Sequence, residues 1–177
     1  MNKVEIEGKV FEIYLSDEDI NKEIERIAEA INLKHKDTRP LFLSVLNGAF
    51  MFTSDLLKKV NIECDLSFVK LSSYTGTTSS GEVKQLVGLN ENIAGRHIIV
   101  LEDIVDTGLT MKMLLKKLHE MNPAKIEIAT LLLKPEALQE KIKVDYICFE
   151  IPEKFVVGYG LDLNGLGRNL PNIYQLK

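Results

Sequence analysis

The sequence predicts an α/β protein built on an open, mainly parallel sheet with helices on both faces. Three observations predict it. Short apolar runs alternate with segments of helical periodicity, the pattern of strands joined by helical crossovers. One run, His97-Ile-Ile-Val-Leu101, is apolar almost throughout, as in a strand covered on both faces. The length of 177 residues, with 45% hydrophobic and 27% charged residues, is that of one soluble globular domain.

The elements follow in order. Phe11–Leu15 reads as a short strand. Ser16 opens a helix with Asp17, Glu18 and Asp19 at its positive end, and Ile20, Ile24, Ile27 and Ile31 recur at helical spacing. Pro40 closes the next turn, Leu41–Leu46 is a buried strand, and Asn47-Gly48 is a turn signal before a helix over Phe50–Lys59. Cys64–Leu71 reads as a strand. Ser72–Glu82 holds almost no large apolar residue, which predicts a mobile loop. Val83–Leu89 is a strand, and His97–Leu101 another. Thr110–Met121 is a helix with Leu114, Leu115 and Leu118 inward, and Ile126–Leu133, Tyr146–Phe149 and Phe155–Val157 complete the strands. The chain is expected to form a single domain over residues 1–177, with a core of about 16–150 and a small hood from about 1–15 and 151–177.

Composition excludes several classes. Cys64 and Cys148 form no CxxC or zinc pattern and read as apolar residues of a reducing compartment. No apolar run reaches the roughly 18 residues of a spanning helix, and Met1–Leu15 lacks a signal-peptide core, so no membrane partner and a cytoplasmic location are expected. Twenty-two Lys and Arg against 26 Asp and Glu give a net charge of −4, which argues against bulk nucleic-acid binding. Gly76–Gly81 has P-loop glycine spacing, but Glu82 and Val83 replace the required Lys and Ser/Thr. His35, His97 and His119 show no ligand spacing.

Chemistry is concentrated in Glu102-Asp103-Ile-Val-Asp106-Thr107-Gly108-Leu109-Thr110. An apolar strand runs into two adjacent carboxylates, then a short Asp/Thr/Gly loop, then a helix. Ligands of open α/β sheets sit beyond the carboxyl ends of strands. Loop N–H groups and the helix N-terminus make an anion cradle, Gly108 allows close approach, and one phosphate is the natural guest. Glu102 and Asp103 would repel that phosphate, but they suit the two hydroxyls of a ribose or a hydrated Mg²⁺. From caps and turns alone, Asp106-Thr107-Gly108 reads equally well as a turn and helix cap.

Val100-Leu-Glu-Asp-Ile-Val-Asp-Thr-Gly-Leu-Thr110 resembles the signature of the phosphoribosyltransferases that bind 5-phosphoribosyl 1-diphosphate, and within them the hypoxanthine (hypoxanthine-guanine) phosphoribosyltransferases of bacterial type. Leu46-Asn-Gly-Ala-Phe-Met-Phe52 resembles that family's first diphosphate loop, and Ser73-Tyr74 its catalytic lid. Lys134 resembles its purine-contacting lysine, Glu150–Asp162 its purine-binding hood, and Arg168-Asn-Leu-Pro171 the segment after it. The blocks keep the family's order over about Leu41 to Pro171.

The resemblance implies the type I phosphoribosyltransferase fold, a homo-oligomer (dimer or tetramer), Mg²⁺, and small-molecule substrates. It implies a purine salvage reaction that moves the 5-phosphoribosyl group to N9 of hypoxanthine, and of guanine, giving IMP or GMP and diphosphate. On this reading Asp106 is catalytic, and the backbone of Asp106, Thr107, Gly108, Leu109 and Thr110 holds the 5-phosphate. Asn47, Gly48 and Arg168 hold the diphosphate. Glu102 and Asp103 meet the ribose, and with Asp162 they hold Mg²⁺. Lys134, Phe155, Val156 and Asp162 form the purine site, and Ser73 and Tyr74 the lid. Two departures stand out. Asn47 occupies a position where many members carry Lys, which leaves backbone donors to make that contact. Gly165-Leu-Gly167 replaces bulkier residues before Arg168. Two competing readings are an RNA-binding regulatory protein of the same fold, which would want a basic face, and a sister transferase for another base.

Overall fold

The structure, a computed structural model, describes residues 3–73, 83–89 and 91–177. The elements are β1 (Lys3–Ile6), β2 (Lys9–Leu15), α1 (Asp17–Lys34), β3 (Leu41–Val45), α2 (Phe50–Leu57), β4 (Asp65–Ser73), β5 (Val83–Val87), β6 (His97–Val105), α3 (Leu109–Glu120), β7 (Lys125–Leu133), β8 (Tyr146–Glu150), β9 (Val156–Val157) and β10 (Ile173–Leu176). A 3₁₀ turn at Pro135–Ala137 follows β7.

The main sheet runs in the order β5-β4-β3-β6-β7-β8. Five strands are parallel, and β5 is antiparallel to β4 at the edge. Side-chain alternation sorts the core into two layers. Phe42, Ile99 and Leu101 pack with α1 and α2, and Leu43, Ile98 and Val100 pack with α3. Helices therefore cover both faces, as predicted.

Helix α1 begins where its cap residues place it. The Ser16 hydroxyl accepts from the Asp19 N–H at 3.2 Å, and the first-turn acids complement the helix dipole. Ile20, Ile24, Ile27 and Ile31 are all buried. Strand β6 runs four residues past the predicted Leu101, because Glu102 and Ile104 still pair with Thr130 and Leu132 of β7. The two carboxylates thus sit on a paired strand rather than in a loop.

A second, antiparallel sheet joins the two ends of the chain in the order β1-β2-β10-β9. Strands β1 and β10 have no counterpart in the sequence reading, since Lys3–Ile6 and Ile173–Leu176 are short and reach their partners only through tertiary pairing. Val156, Tyr159, Leu161 and Ile173 belong to the same apolar cluster as α1 and α2, which fixes this sheet to the main one. The predicted lid falls at the boundary of the described residues. Ser73 is the last residue of β4, and Tyr74 lies outside them.

The histidines divide: His119 Nδ1 lies 2.6 Å from the Leu115 carbonyl, whereas His97 Nδ1 is buried without a hydrogen-bond partner among the described residues. His35 is buried, with Nε2 2.9 Å from Glu127 and Nδ1 3.1 Å from Thr38. Cys64 and Cys148 are unpaired, and burial pushes the Cys148 thiol up to about 12, which leaves it unreactive. Chemical denaturation should separate the two anchors of α1. Ile24→Ala is expected to cost about 2–5 kcal/mol through a core cavity. Ser16→Ala is expected to cost about 1 kcal/mol through the lost cap.

Candidate active site

Three strands end at the same edge of the sheet, and their following loops build the site. After β3 the chain passes through Leu46, Asn47 and Gly48, with a cis peptide between Leu46 and Asn47. After β6 come Asp106, Thr107 and Gly108, and after β7 comes Lys134. Parallel strands necessarily put these loops side by side.

Two adjoining cavities lie there. The first, of about 310 Å³, is lined by residues that include Asn47, Gly48, Glu102, Asp103, Asp162 and Arg168. The second, of about 230 Å³, is lined by Glu102, Asp106, Thr107, Gly108, Thr110 and Met111, among others. Glu102, Ile104 and Thr110 line both, so the two are continuous along the end of β6.

The second cavity is an anion cradle by geometry. Gly108 caps α3 with φ +80°, a left-handed conformation that glycine adopts freely. The first-turn N–H groups of α3 have no intrahelical acceptor, and Thr110 and Met111 of that turn line this space. The Thr107 hydroxyl accepts from the Leu109 N–H at 3.4 Å, so it serves the turn. The loop is backed by the segment after β7: the Gln139 N–H donates to the Thr107 carbonyl at 3.0 Å, and a Cβ on Gly108 would lie 2.8 Å from Ile142. No signal near residue 106 marks this backing, because it arrives from about thirty residues downstream.

The first cavity is dominated by acids. Glu102 is 8% exposed, and burial, then the charge of Asp103 beside it, pushes its carboxyl well above the usual range. Burial also raises Asp103, although its Oδ1 accepts the Ile104 N–H at 3.0 Å and Arg168 lies nearby. A cation placed between these carboxylates would relieve both. Asp162 differs. Its Oδ1 is 2.6 Å from Arg168 Nη2, and its Oδ2 accepts from the Gly165 N–H at 2.6 Å. Among the described residues no group of three His, Cys, Asp or Glu side chains is arranged to hold a metal. Mg²⁺ fits such a site, because it takes one or two carboxylates and fills its other positions with water and substrate phosphate oxygens.

Packing behind the acids is tight. A Cβ on Gly48 would fall 1.6 Å from Asp103 Oδ2, and a Cβ on Gly160 would fall 2.0 Å from the Gly48 carbonyl oxygen. The loop after β3, the acid of β6 and the segment after β9 are therefore in direct contact. Arg168 Nη1 donates to the Gly160 carbonyl at 2.7 Å, so the Gly165–Gly167 stretch does not keep Arg168 from the cavity.

Lys134, Phe155 and Val156 line neither cavity. Lys134 is 7% exposed, and its ammonium donates to Asp106 Oδ2 at 2.7 Å. This pair connects the end of β7 to the mouth of the anion cradle. Val156 is buried in β9 and paired with Gln175. Phe155 is 48% exposed, its ring centroid 6.2 Å from that of Phe11. The exposure shows it is not a core residue.

Comparison with known proteins identifies the class to which this fold and its paired cavities belong. The chain matches the phosphoribosyl transferase domain over residues 12–164, and it belongs to that family. It is 40% identical over 166 residues to the hypoxanthine-guanine phosphoribosyltransferase of Bacillus subtilis (strain 168), covering 93% of this chain and 92% of that one. It is likewise 40% identical over 173 residues to the enzyme of that name from Streptococcus pyogenes, covering 97% and 96%. A crystal structure of a hypoxanthine-guanine phosphoribosyltransferase from Bacillus anthracis superposes with a TM-score of 0.85 at 31% identity, over 96% of this chain and 98% of that one. A hypoxanthine phosphoribosyltransferase from Staphylococcus aureus gives 0.85 at 35% identity, over 94% and 91%.

Two glycines at positive φ separate conformational cost from crowding. Gly165 (φ +88°) has nothing within 4 Å of an added Cβ, so Gly165→Ala is expected to cost about 1–2 kcal/mol in denaturant titrations. Gly160→Ala meets backbone as well and should cost distinctly more.

Proposed function

We propose that this chain transfers the 5-phosphoribosyl group of 5-phosphoribosyl 1-diphosphate to N9 of hypoxanthine, and of guanine, giving IMP or GMP and diphosphate. The C1–O bond to diphosphate breaks, the C1–N9 bond forms, and the purine loses one proton. The observation that carries this reading is the 2.7 Å ion pair of Lys134 with Asp106 beside the anion cradle.

That pair presents a donor next to an acceptor. A 6-oxopurine protonated at N7 presents the complementary pair, the O6 acceptor beside the N7–H donor. The Lys134 ammonium donates to O6, and the Asp106 carboxylate accepts the N7 proton as general base. Adenine carries an exocyclic amine at that position, so its donor would face the donors of Lys134, an unpaired contact that a polar site rejects. Phe155 offers a ring face to the purine, and the Val156 backbone its edge.

The donor lies along the end of β6. The backbone from Asp106 to Thr110 receives the 5-phosphate. Glu102 and Asp103 accept from the ribose hydroxyls. Asn47, Gly48 and Arg168 receive the diphosphate, Arg168 with a fixed fork of donors and the Asn47 loop with backbone N–H groups. Mg²⁺ fits beside Glu102 and Asp103, with Asp162 near the diphosphate, and supplies positive charge to the departing diphosphate. Positioning two substrates and stabilising charge carry the reaction, with no covalent enzyme intermediate. On this reading the core, 16–150, supplies the 5-phosphate and ribose contacts together with Asp106 and Lys134, and the hood, 1–15 and 151–177, supplies Phe155, Val156, Asp162 and Arg168.

A homo-oligomer, dimer or tetramer, goes with this function, and Leu66 and Phe68, each 41% exposed on β4, offer it apolar surface. A cytoplasmic location suits the two unpaired cysteines.

Incubation with hypoxanthine, donor and Mg²⁺ should release IMP, and adenine should give no nucleotide. No nucleotide from any 6-oxopurine, with salt-sensitive RNA binding instead, would overturn the reading. Asp106→Asn is expected to lower kcat by about 10²–10⁴-fold, the range of a positioned acid or base. Lys134→Ala should raise the hypoxanthine KM far more than the donor KM; equal effects would remove Lys134 from the purine site.

A further inference from the structure

Tyr159 lines neither cavity, yet the chain holds it in a conformation that suits glycine. Gly158 and Leu161 exchange backbone hydrogen bonds at 3.0 Å around a two-residue turn. Tyr159 and Gly160, the central residues, have φ of +50° and +98°. This is the sign pattern of a type I′ turn, where Asn and Gly are the usual occupants. Gly160 follows that habit; a tyrosine at positive φ does not.

The side chain accounts for the choice. The Tyr159 ring is 1% exposed and shares a core cluster with Phe52 and Leu56 of α2. Its hydroxyl donates to Asp55 Oδ2, also on α2, at 2.5 Å. Burial, then the hydrogen bond to Asp55, pushes the phenol well above its usual range, so it stays a donor. The other oxygen of Asp55 accepts from Lys58 at 2.8 Å, which fixes the carboxylate on its helix.

The next residue carries this anchor into the site. Gly160 lies against the Gly48 carbonyl, so closely that a Cβ would sit 2.0 Å away. Its own carbonyl accepts from Arg168 Nη1 at 2.7 Å, and its N–H donates to the Arg168 carbonyl at 2.9 Å. The phenol is thus one residue from backbone that touches Gly48 on one side and Arg168 on the other.

We propose that the Asp55–Tyr159 hydrogen bond is a positioning latch, which holds Gly160 against Gly48 and thereby sets Arg168 and the loop after β3 at the separation that a diphosphate requires. Asp55 and Tyr159 are positioning residues. The inference rests on the assignment of Asn47, Gly48 and Arg168 to diphosphate. A contact that served stability alone would alter all substrate constants together or none.

The test is Tyr159→Phe, which keeps the ring and removes only the hydroxyl, with Asp55→Ala and Asp55→Asn. Tyr159→Phe and Asp55→Ala should each raise the donor KM about threefold to tenfold, the size of one net hydrogen bond, with the hypoxanthine KM unchanged. The double variant should equal either single one. Asp55→Asn, whose amide oxygen still accepts, should restore the donor KM. An unchanged donor KM, or donor and hypoxanthine constants rising together in protein that is folded by circular dichroism, would overturn the latch. Calorimetric titration of diphosphate with Mg²⁺ separates this from the assigned function. If the unaltered protein forms no nucleotide, the function fails, while the latch stands or falls on whether Tyr159→Phe weakens diphosphate binding.

Discussion

Two carboxylates side by side in a desolvated strand end are the constraint on which this structure turns. Glu102 is buried, its carboxyl is raised by burial and by Asp103, and Asp103 is pressed onto Gly48. Such an arrangement opposes stability, since burying like charges costs several kcal/mol that a neutral pair would not. It is maintained by the strand that carries it: β6 pairs with β3 on one side and β7 on the other, and its apolar half is buried on both faces. On the proposed function the cost becomes useful when a diol and a divalent ion bind, because the low local dielectric strengthens each contact they make.

The neighbouring elements follow from that position. The anion cradle at the start of α3 must stand apart from the acids, and the turn at Asp106–Gly108 provides the separation. The loop after β3 meets Asp103 on one side and the segment after β9 on the other only because Gly48 and Gly160 lack side chains. Lys134 arrives from β7, the strand next to β6, and its ammonium meets Asp106 directly. One sheet edge therefore gathers the turn at Asp106–Gly108, the carboxylates Glu102 and Asp103, and Lys134, with no long loop among them.

What the sequence disclosed and what it did not divide along physical lines. The acids, the cradle and Lys134 were legible because each lies at the end of a strong apolar strand, and strand ends in parallel sheets share one edge. The isoleucine spacing and Ser16 placed α1 in the same way. Strands β1 and β10 were not legible, since their pairing joins Lys3–Ile6 and Ile173–Leu176 to β2 across almost the whole chain. The continuation of β6 through Asp103 was hidden because carboxylates disfavour strands, and tertiary pairing with β7 overrides that preference. Tyr159–Asp55 and the backing of Gly108 by Ile142 are contacts between distant segments, and neither residue type announces them. Phe155, read as the first residue of a strand over Phe155–Val157, is exposed, and only Val156 and Val157 enter β9.

The central claim is that residues 106–110 hold the monoester end of a ribose phosphate while Glu102 and Asp103 receive its diol. A crystal structure with inosine 5′-monophosphate and Mg²⁺ tests it most directly. The account predicts the phosphate oxygens on the N–H groups that open α3, both ribose hydroxyls on the two carboxylates, and O6 within hydrogen-bond reach of Lys134. A nucleotide bound elsewhere, or seated with its base in the cradle and its phosphate on Arg168, would contradict it.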